Sequence, residues 1–569
     1  MKRNWIIWIV KRIKGSYKFM VLLIISSIII SATNVLFAVV LKSFIDNAIS
    51  RSPGKIFSLI VFAIILMLLD GFSYVLSSYS VKKIQAQTEC NLRNEMFSAI
   101  IHSEYAGIEK YNSGELMNLF TNDINSISVC IPEITHNIIG QVLQAVIASV
   151  TLFILSWKMG LILFISIPVL LILVNSISPY IQKANAELKE NEDSIISFVQ
   201  EKLRRLPLIK AYSYYVKPSD KLSSMQDSKT KKYAKLGLVE GVVYFSNNIM
   251  GSVIFLICLG VGSYFAIRGD YSVGTMLTMV QLLNYIIAPL NTISPAMNNI
   301  NNSFVSAERV ERIFGLEQET DVSSKYNNAK IKEINITNLN FSYGNTKVFD
   351  DFCFIFPSKK IIGIIGKSGR GKTTLLKLLL GFYLPDSGNI SAITEDNEIL
   401  DIRDVRSVIS YVPNSDLLFS DTIAENIVMN EEVNGLRLQN VSAQANILDF
   451  IETLPDRFDT LISEYGGNLS SGQAQRIGIA RAIYRESIQV ILLDEPTSNL
   501  DAESVNVLKR ELKNLSMDKT CIVVSHDNTL KDIFDITLNL DEIGEVPENR
   551  ELVCSGVNET SQLIIADEV

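Results

Sequence analysis

The chain has 569 residues, 48% of them hydrophobic, with a mean hydropathy of +0.25 and a formal charge of -8. That length is too great for one core, and the acidic balance argues against nucleic acid as the main partner, which needs a basic face. The average hides a contrast. The first 300 residues are dominated by Ile, Leu, Val and Phe, while the rest mixes apolar runs with charged residues as a soluble enzyme does. The six cysteines (Cys90, Cys130, Cys258, Cys353, Cys521 and Cys554) are scattered without a CxxC pair and read as reduced thiols.

The opening segment alternates Lys and Arg with Trp5, Ile6, Ile9, Val10 and Ile13 near helical spacing. It reads as an interfacial amphipathic helix, residues 1–18, leading into the first span rather than as a signal peptide. Roughly 20 apolar residues cross a bilayer core as a helix, and six stretches qualify: 19–41, 56–80, 132–156, 159–179, 239–267 and 272–299. The third and fourth meet at Ser156-Trp157-Lys158, which demands a tight turn, and Arg268-Gly269-Asp270 joins the last two. Lys2, Arg3, Lys11, Arg12, Lys14 and Lys18 precede the first span, so the positive-inside rule puts the N-terminus in the cytoplasm. The long connections 81–131 and 180–238, both rich in Lys and Arg, then lie inside, and six spans return the chain to the same side. Stretches 82–101 and 183–206 keep apolar residues at spacings of three and four and are expected to extend the spans as helices. The membrane domain is therefore set at 19–302, a polar linker with one short helix at 303–333, and a soluble domain at 334–569.

The soluble domain opens with a β-rich stretch, "INITNLNFSYGN". A buried strand, Ile361 to Ile365, then runs into Gly366-x-x-x-x-Gly371-Lys372-Thr373 and an apolar helix. Strand, glycine loop and helix in that order make a phosphate-binding loop. Its glycines let backbone N–H groups close around phosphate oxygens, and the helix N-terminus adds its positive dipole end. The loop residues Lys367, Ser368, Gly369 and Arg370, with Thr374, belong to the same cradle. Lys372 neutralises the β- and γ-phosphates, and Thr373 offers an oxygen to Mg2+. A second buried strand, Val490 to Leu493, ends in Asp494-Glu495; beside a phosphate loop such a pair serves to hold the metal (Asp494) and to polarise the attacking water (Glu495).

With "LSSGQAQRIGIARA" at 469–482 just before "ILLDEPTSNLD" at 491–501, and His526 in "VVSHD", the chain resembles the ATP-binding cassette transporters. The match is to the exporter type, which fuses six spans to a nucleotide-binding domain. The resemblance implies a six-helix α membrane domain followed by an α/β P-loop NTPase domain, a half-transporter that pairs with an identical or different second half. It implies ATP and Mg2+ as cofactors and a multi-pass place in the plasma membrane with both termini cytoplasmic. It makes Tyr343 in "FSYGN" the ring that stacks on adenine, and Ser470, Ser471, Gly472 and Gln473 the contacts to ATP held by the opposite subunit. Asp501 becomes the D-loop aspartate, His526 the residue that orients Glu495 and the γ-phosphate, and Asn414 in "YVPN" the amide that touches Mg2+. Asn414 stands where the family usually has glutamine, and Ser471 where it has glycine. "YNSGELMNLFTNDI" at 111–124 and "EKLRRLPLIKAY" at 201–212 resemble the two cytoplasmic loops whose short coupling helices dock on nucleotide domains. No peptidase domain precedes the spans, so cargo trimming is not expected.

In the last span Asn284, Asn291 and Asn298 recur every seven residues, and Gln281 and Asn302 extend the stripe. A polar face in a span meets protein or water, so it either lines a translocation path or bonds between helices; Pro289 and Pro295 should kink this span. Asp70, inside an apolar run of the second span, should pair with another helix, lie near the outer surface or contact a cationic cargo group. ATP-driven export by a two-site dimer is the leading reading. An importer on the same fold and an ATP-gated channel are the alternatives.

Overall fold

The computed structural model describes residues 5–12, 15–51, 53–319, 326, 329–414, 418–463, 468–497, 502–526 and 528–542. The chain divides into two compact units, Met1–Ile101 with Tyr111–Leu316, and His102–Lys110 with the chain from Glu317 onward.

The first unit is helical. In chain order it holds α1 (Trp5–Arg12), α2 (Tyr17–Ile49) and α3 (Pro53–His102); the short α4 (Tyr105–Ile108) belongs to the second unit. There follow α5 (Ser113–Leu155), α6 (Trp157–Arg204), α7 (Leu206–Ala211), α8 (Val216–Ile267) and α9 (Val273–Phe314). Each of the six expected spans coincides with one of these helices, Ser156 and Ser272 being the caps just outside α5 and α9. Among the described residues α2, α3, α5 and α8 carry stretches long and apolar enough to cross a membrane, and α9 opens with an apolar run, Val273–Ile287. The side chains of 162–178 in α6 lie outside the described part. α3, α6 and α8 have 50, 48 and 52 residues. At 1.5 Å per residue each is more than twice the ~30 Å of a bilayer core, so the expected extensions continue the spans without a break.

The turns follow from local sequence. Ser156 alone separates α5 from α6, its backbone extended. A Cβ on Gly160 would lie 2.6 Å from the Phe153 ring, so only glycine lets the two helices close that tightly. At the other connection Asp46 of α2 accepts from the Ser272 hydroxyl (2.7 Å) and the Gly274 N–H (3.0 Å), putting a carboxylate at the N-terminus of α9. α5 contains two widened, π-type turns, Leu119–Asp123 and Glu133–Ile139, the second directly after Pro132.

Two expectations change. α1 does not leave its apolar face for lipid: Trp8 and Ile9 are buried with Leu92 and Met96 of α3, Ile124 of α5 and Val310 of α9. The Trp8 indole donates to Glu311, and the Arg12 guanidinium sits 3.8 Å from the Trp8 ring and 3.2 Å from Glu95. Second, the chain expected to become a linker at Ser303 continues as α9 to Phe314, passing through Pro289 and Pro295 without interruption. Ala307, Val310 and Ile313 recur every three residues and are fully buried. On the polar side Ser306 donates to Asp123 (2.6 Å) and Arg309 pairs with it (2.9 Å).

The second unit carries two sheets. Its elements are β1 (Ile331–Tyr343), β2 (Thr346–Pro357), β3 (Ile361–Ile365), α10 (Lys372–Leu379), β4 (Ser387–Thr394), β5 (Ile399–Asp401), β6 (Ile409–Val412), α11 (Ile423–Val428), α12 (Gly435–Gln444) and α13 (Leu448–Thr453). They continue with α14 (Ser471–Tyr484), β7 (Val490–Asp494), α15 (Ala502–Leu515), β8 (Thr520–Val524) and β9 (Ile536–Asn539). An antiparallel sheet runs β2-β1-β4-β5, and a parallel sheet runs β6-β7-β8-β3-β9. All residues of β7 and β8 are buried, as expected for parallel strands covered on both faces. One apolar core, with Phe341, Phe356, Leu376 and Leu492, joins the two sheets; the other, with Ile427, Val441, Ile477 and Val523, carries α11 to α15 on the opposite face.

The segment 102–110 is part of this unit through backbone bonds Glu104 N–H to Glu317 O (2.9 Å) and Glu319 N–H to His102 O (2.6 Å). Tyr105 stacks on Phe382 at 4.7 Å, and Glu109 pairs with Lys377 at 2.7 Å. The short helix of this loop thus lies just before the 111–124 motif that suggested it.

Candidate nucleotide site

The parallel sheet sets the site. β3, β6, β7 and β8 point the same way, so the residues that follow their C-terminal ends gather at one edge, where α/β sheets bind ligands. Those residues are the loop 366–371, Asn414, Asp494-Glu495 and Ser525-His526.

In the loop Gly366, Gly369 and Gly371 have φ of 149°, 83° and 90°. At Gly371 a Cβ would also come within 2.6 Å of Val348, so the cradle closes only with glycine there. Lys372 is nearly fully buried, and its ammonium donates to the carbonyls of Gly366 (2.7 Å) and Lys367 (3.0 Å) and stands 3.3 Å from His526 Nδ1. Burial pulls its pKa down, against the pull of Glu495, Asp541 and Asp494. Thr373 Oγ1 lies 3.5 Å from Asp494 Oδ1, and Tyr411 OH 3.5 Å from Oδ2. Burial raises the Asp494 pKa and Thr373 lowers it.

Glu495 is held at a positive φ of 51°, a conformation costly for a non-glycine residue. Its carboxylate accepts from Asn414 Nδ2 at 3.1 Å on one oxygen and meets His526 Nε2 on the other. The lysine fixes the imidazole tautomer. An ammonium only donates, so Nδ1 is the acceptor and Nε2–H donates to Glu495.

At the start of α14, Ser470 accepts from the Gln473 N–H (3.2 Å), while the Gln473 side chain accepts from the Ser470 N–H (2.8 Å), a reciprocal capping box. Ser471 and Gly472 form the first turn behind it. Tyr343 ends β1 with its ring edge-on to Phe341 and Tyr383 (5.0 and 5.4 Å). It forms one wall of a cavity of about 390 Å³ shared with Tyr105, Phe382 and Tyr383. Lys367, Ser368, Arg370 and Thr374 lie in or beside the loop as read from sequence. Asp501 lies outside the described residues.

Sequence reading missed two contributors. Asp541, just past β9, accepts from the Lys367 N–H at 3.1 Å and pairs with Arg370 at 3.3 Å. Only the β3–β9 pairing brings it there. Tyr411, in β6, comes beside Asp494 through the pairing of β6 with β7.

Of the membrane candidates, Asp70 accepts from Thr33 Oγ1 of α2 at 3.0 Å. Asn284 is exposed on α9, and Gln281 donates to Tyr285 OH of its own helix (3.2 Å). The side chains of Asn291 and Asn298 lie outside the described residues.

The profile described as "ABC transporter transmembrane region" matches residues 20–290, and that described as "ABC transporter" matches residues 349–498. The chain belongs to the ATP-binding cassette transporter family and couples ATP hydrolysis to transport across a membrane. A putative export ATP-binding/permease protein of Rickettsia bellii is 27% identical over 520 residues, covering 90% of this chain and 89% of its own length. The ATP-dependent lipid A-core flippase of Vibrio cholerae is 25% identical over 530 residues, covering 92% and 90%. A bacterial Atm1-family ABC exporter solved with ATP bound superposes with a TM-score of 0.78 at 18% identity, covering 94% of each chain.

Proposed function

We propose that the chain is one half of a plasma-membrane exporter, with both termini cytoplasmic, that works as a dimer and hydrolyses Mg2+-ATP. The observation that carries the reading is the fixed Glu495 carboxylate, gripped by Asn414 and by a His526 whose tautomer Lys372 sets. Such a carboxylate can accept a hydrogen bond from a water and aim its lone pair at the γ-phosphorus. Lys372 counters phosphate charge, and the N-terminus of α14 offers its dipole end to a nucleotide held by the partner. Thr373 and Asp494 converge with hard oxygen donors and fit Mg2+, which when bound would neutralise charge on the phosphates.

The dimer is supported by the tip of the second long loop. Leu208, Tyr212 and Val216, on and after α7, are 56%, 80% and 70% exposed. An apolar tip of this kind calls for a protein cover, and the nucleotide unit of a second half fits the family's loop docking. Export is supported by the naming of the relatives; the importer alternative is not favoured.

The test is ATP-dependent flux in proteoliposomes, beginning with a fluorescent phospholipid because a lipid flippase is among the relatives. Movement against a gradient, away from the nucleotide-bearing side, is expected. Flux only down a gradient would mean a gated channel, and movement toward the nucleotide side an importer.

A further inference from the structure

A groove lies at the C-terminal end of α14, apart from the residues of the nucleotide site described above. α14 runs from Ser471 to Tyr484, so its C-terminus is about 20 Å from the signature turn. There α12, the end of α14 and the end of α15 enclose about 670 Å³.

Glu511 of α15 lines this groove. It is 8% exposed, and its Oε1 has no hydrogen-bond partner in the protein. Arg476 of α14 and Arg510 of its own helix lie in electrostatic range without donating to it, and burial lifts its pKa to about 7. A buried carboxylate oxygen without a donor is costly, which makes it a candidate for an external donor.

The groove's own cations do not supply one. Arg437 spends its guanidinium on Glu486 and on the carbonyls of Tyr484 and Ile483, and Lys519 donates to the Ile488 carbonyl at 2.5 Å. The remaining wall offers acceptors: the exposed Asp518, seven residues beyond Glu511, and the side-chain amides of Asn440, Gln444 and Asn514. Asp518 lies past the end of α15, in the turn that follows Leu515, and lines the same groove as Glu511. Among the described residues no group of three acidic, His or Cys side chains converges as a metal ion requires.

We propose that this groove binds a linear polyamine, one terminal ammonium on Glu511 and the other on Asp518. The ammonium supplies the donors that Glu511 lacks, and the amides accept from the nitrogen between. Binding takes the ionised form of Glu511, so affinity should rise with pH through 7 as its proton is released. Arg476, Arg510, Arg437, Lys519, Glu486 and Asp518 are the other charged groups around this region, and burial lowers the Lys519 pKa.

The test is calorimetric titration of the full-length protein in neutral maltoside micelles with spermidine, putrescine and diacetylputrescine. Spermidine should bind, and diacetylputrescine, which lacks the ammonium groups, should not. Glu511→Gln should weaken spermidine at least tenfold and flatten its pH dependence. Asp518→Asn, an exposed change that leaves folding intact, should erase the preference for spermidine over putrescine. No binding by the wild type, equal binding by Glu511→Gln, or equal binding of Mg2+ and spermidine at the same site would overturn the proposal.

Discussion

Removal of the His526 ring tests the site most directly. Glu495 starts from a strained backbone, and its carboxylate is steered by two side chains, the Asn414 amide and the His526 imidazole. His526→Ala deletes one of the two and leaves the Lys372 ammonium without its acceptor at 3.3 Å. A hydrogen bond to a charged group contributes about 1.5–3 kcal/mol. If that orientation matters only when water attacks, the loss falls on kcat and amounts to roughly 10–150-fold, at 1.36 kcal/mol per tenfold. His526 is 40% exposed at its side chain, and the lower half of that range is expected. Steady-state ATPase of the reconstituted protein, with ATP affinity measured separately, reads the effect. His526→Gln, which can still donate to Glu495, should recover part of it. A kcat within threefold of wild type, or a defect confined to KM, would refute the idea that the imidazole aims Glu495.

Three further changes follow from the same geometry. Glu495→Gln should bind ATP normally, hold the dimer closed and abolish steady-state turnover; full turnover would remove Glu495 from the mechanism. Asn414→Gln keeps the amide and adds one methylene, so ATPase should be preserved or raised, and a large loss would mean that the spacing to Glu495 depends on the shorter side chain. Glu511→Gln should stabilise the protein as pH rises. The folded chain keeps the Glu511 proton up to about 7 whereas the unfolded chain releases it near 4.5, so the folded form binds more protons between those values and loses stability as pH climbs through them. The effect amounts to at most about 3 kcal/mol, read as a thermal-unfolding advantage of the variant that grows from pH 5 to pH 8. A constant difference across that range would count against it.

Much of the molecule was legible because its signals are local. Twenty apolar residues, or a strand running into Gly366 to Thr373, carry their meaning within one stretch of chain. The helix ends were harder. The last helix looked like a linker beyond Ser303 because Glu308, Arg309, Glu311 and Arg312 dominate the composition, and its buried stripe of Ala307, Val310 and Ile313 is only three residues wide. The lead-in helix carried the right amphipathic pattern, but a pattern cannot say whether lipid or Leu92 and Met96 will cover it. Asp541 and Tyr411 were invisible for a different reason: each reaches the site through strand neighbours fixed by the order of the sheet, a fact no single segment contains.

The seat of that first helix also sets a schedule for biogenesis. Trp8 donates to a carboxylate 303 positions later in the chain. At a ribosomal pace of 5–20 residues per second, about 15 to 60 s pass before Glu311 exists. Until then the Trp8 indole N–H lacks its acceptor, and the seat that Leu92, Met96 and Ile124 already offer lacks the wall that Val310 and Ile313 supply.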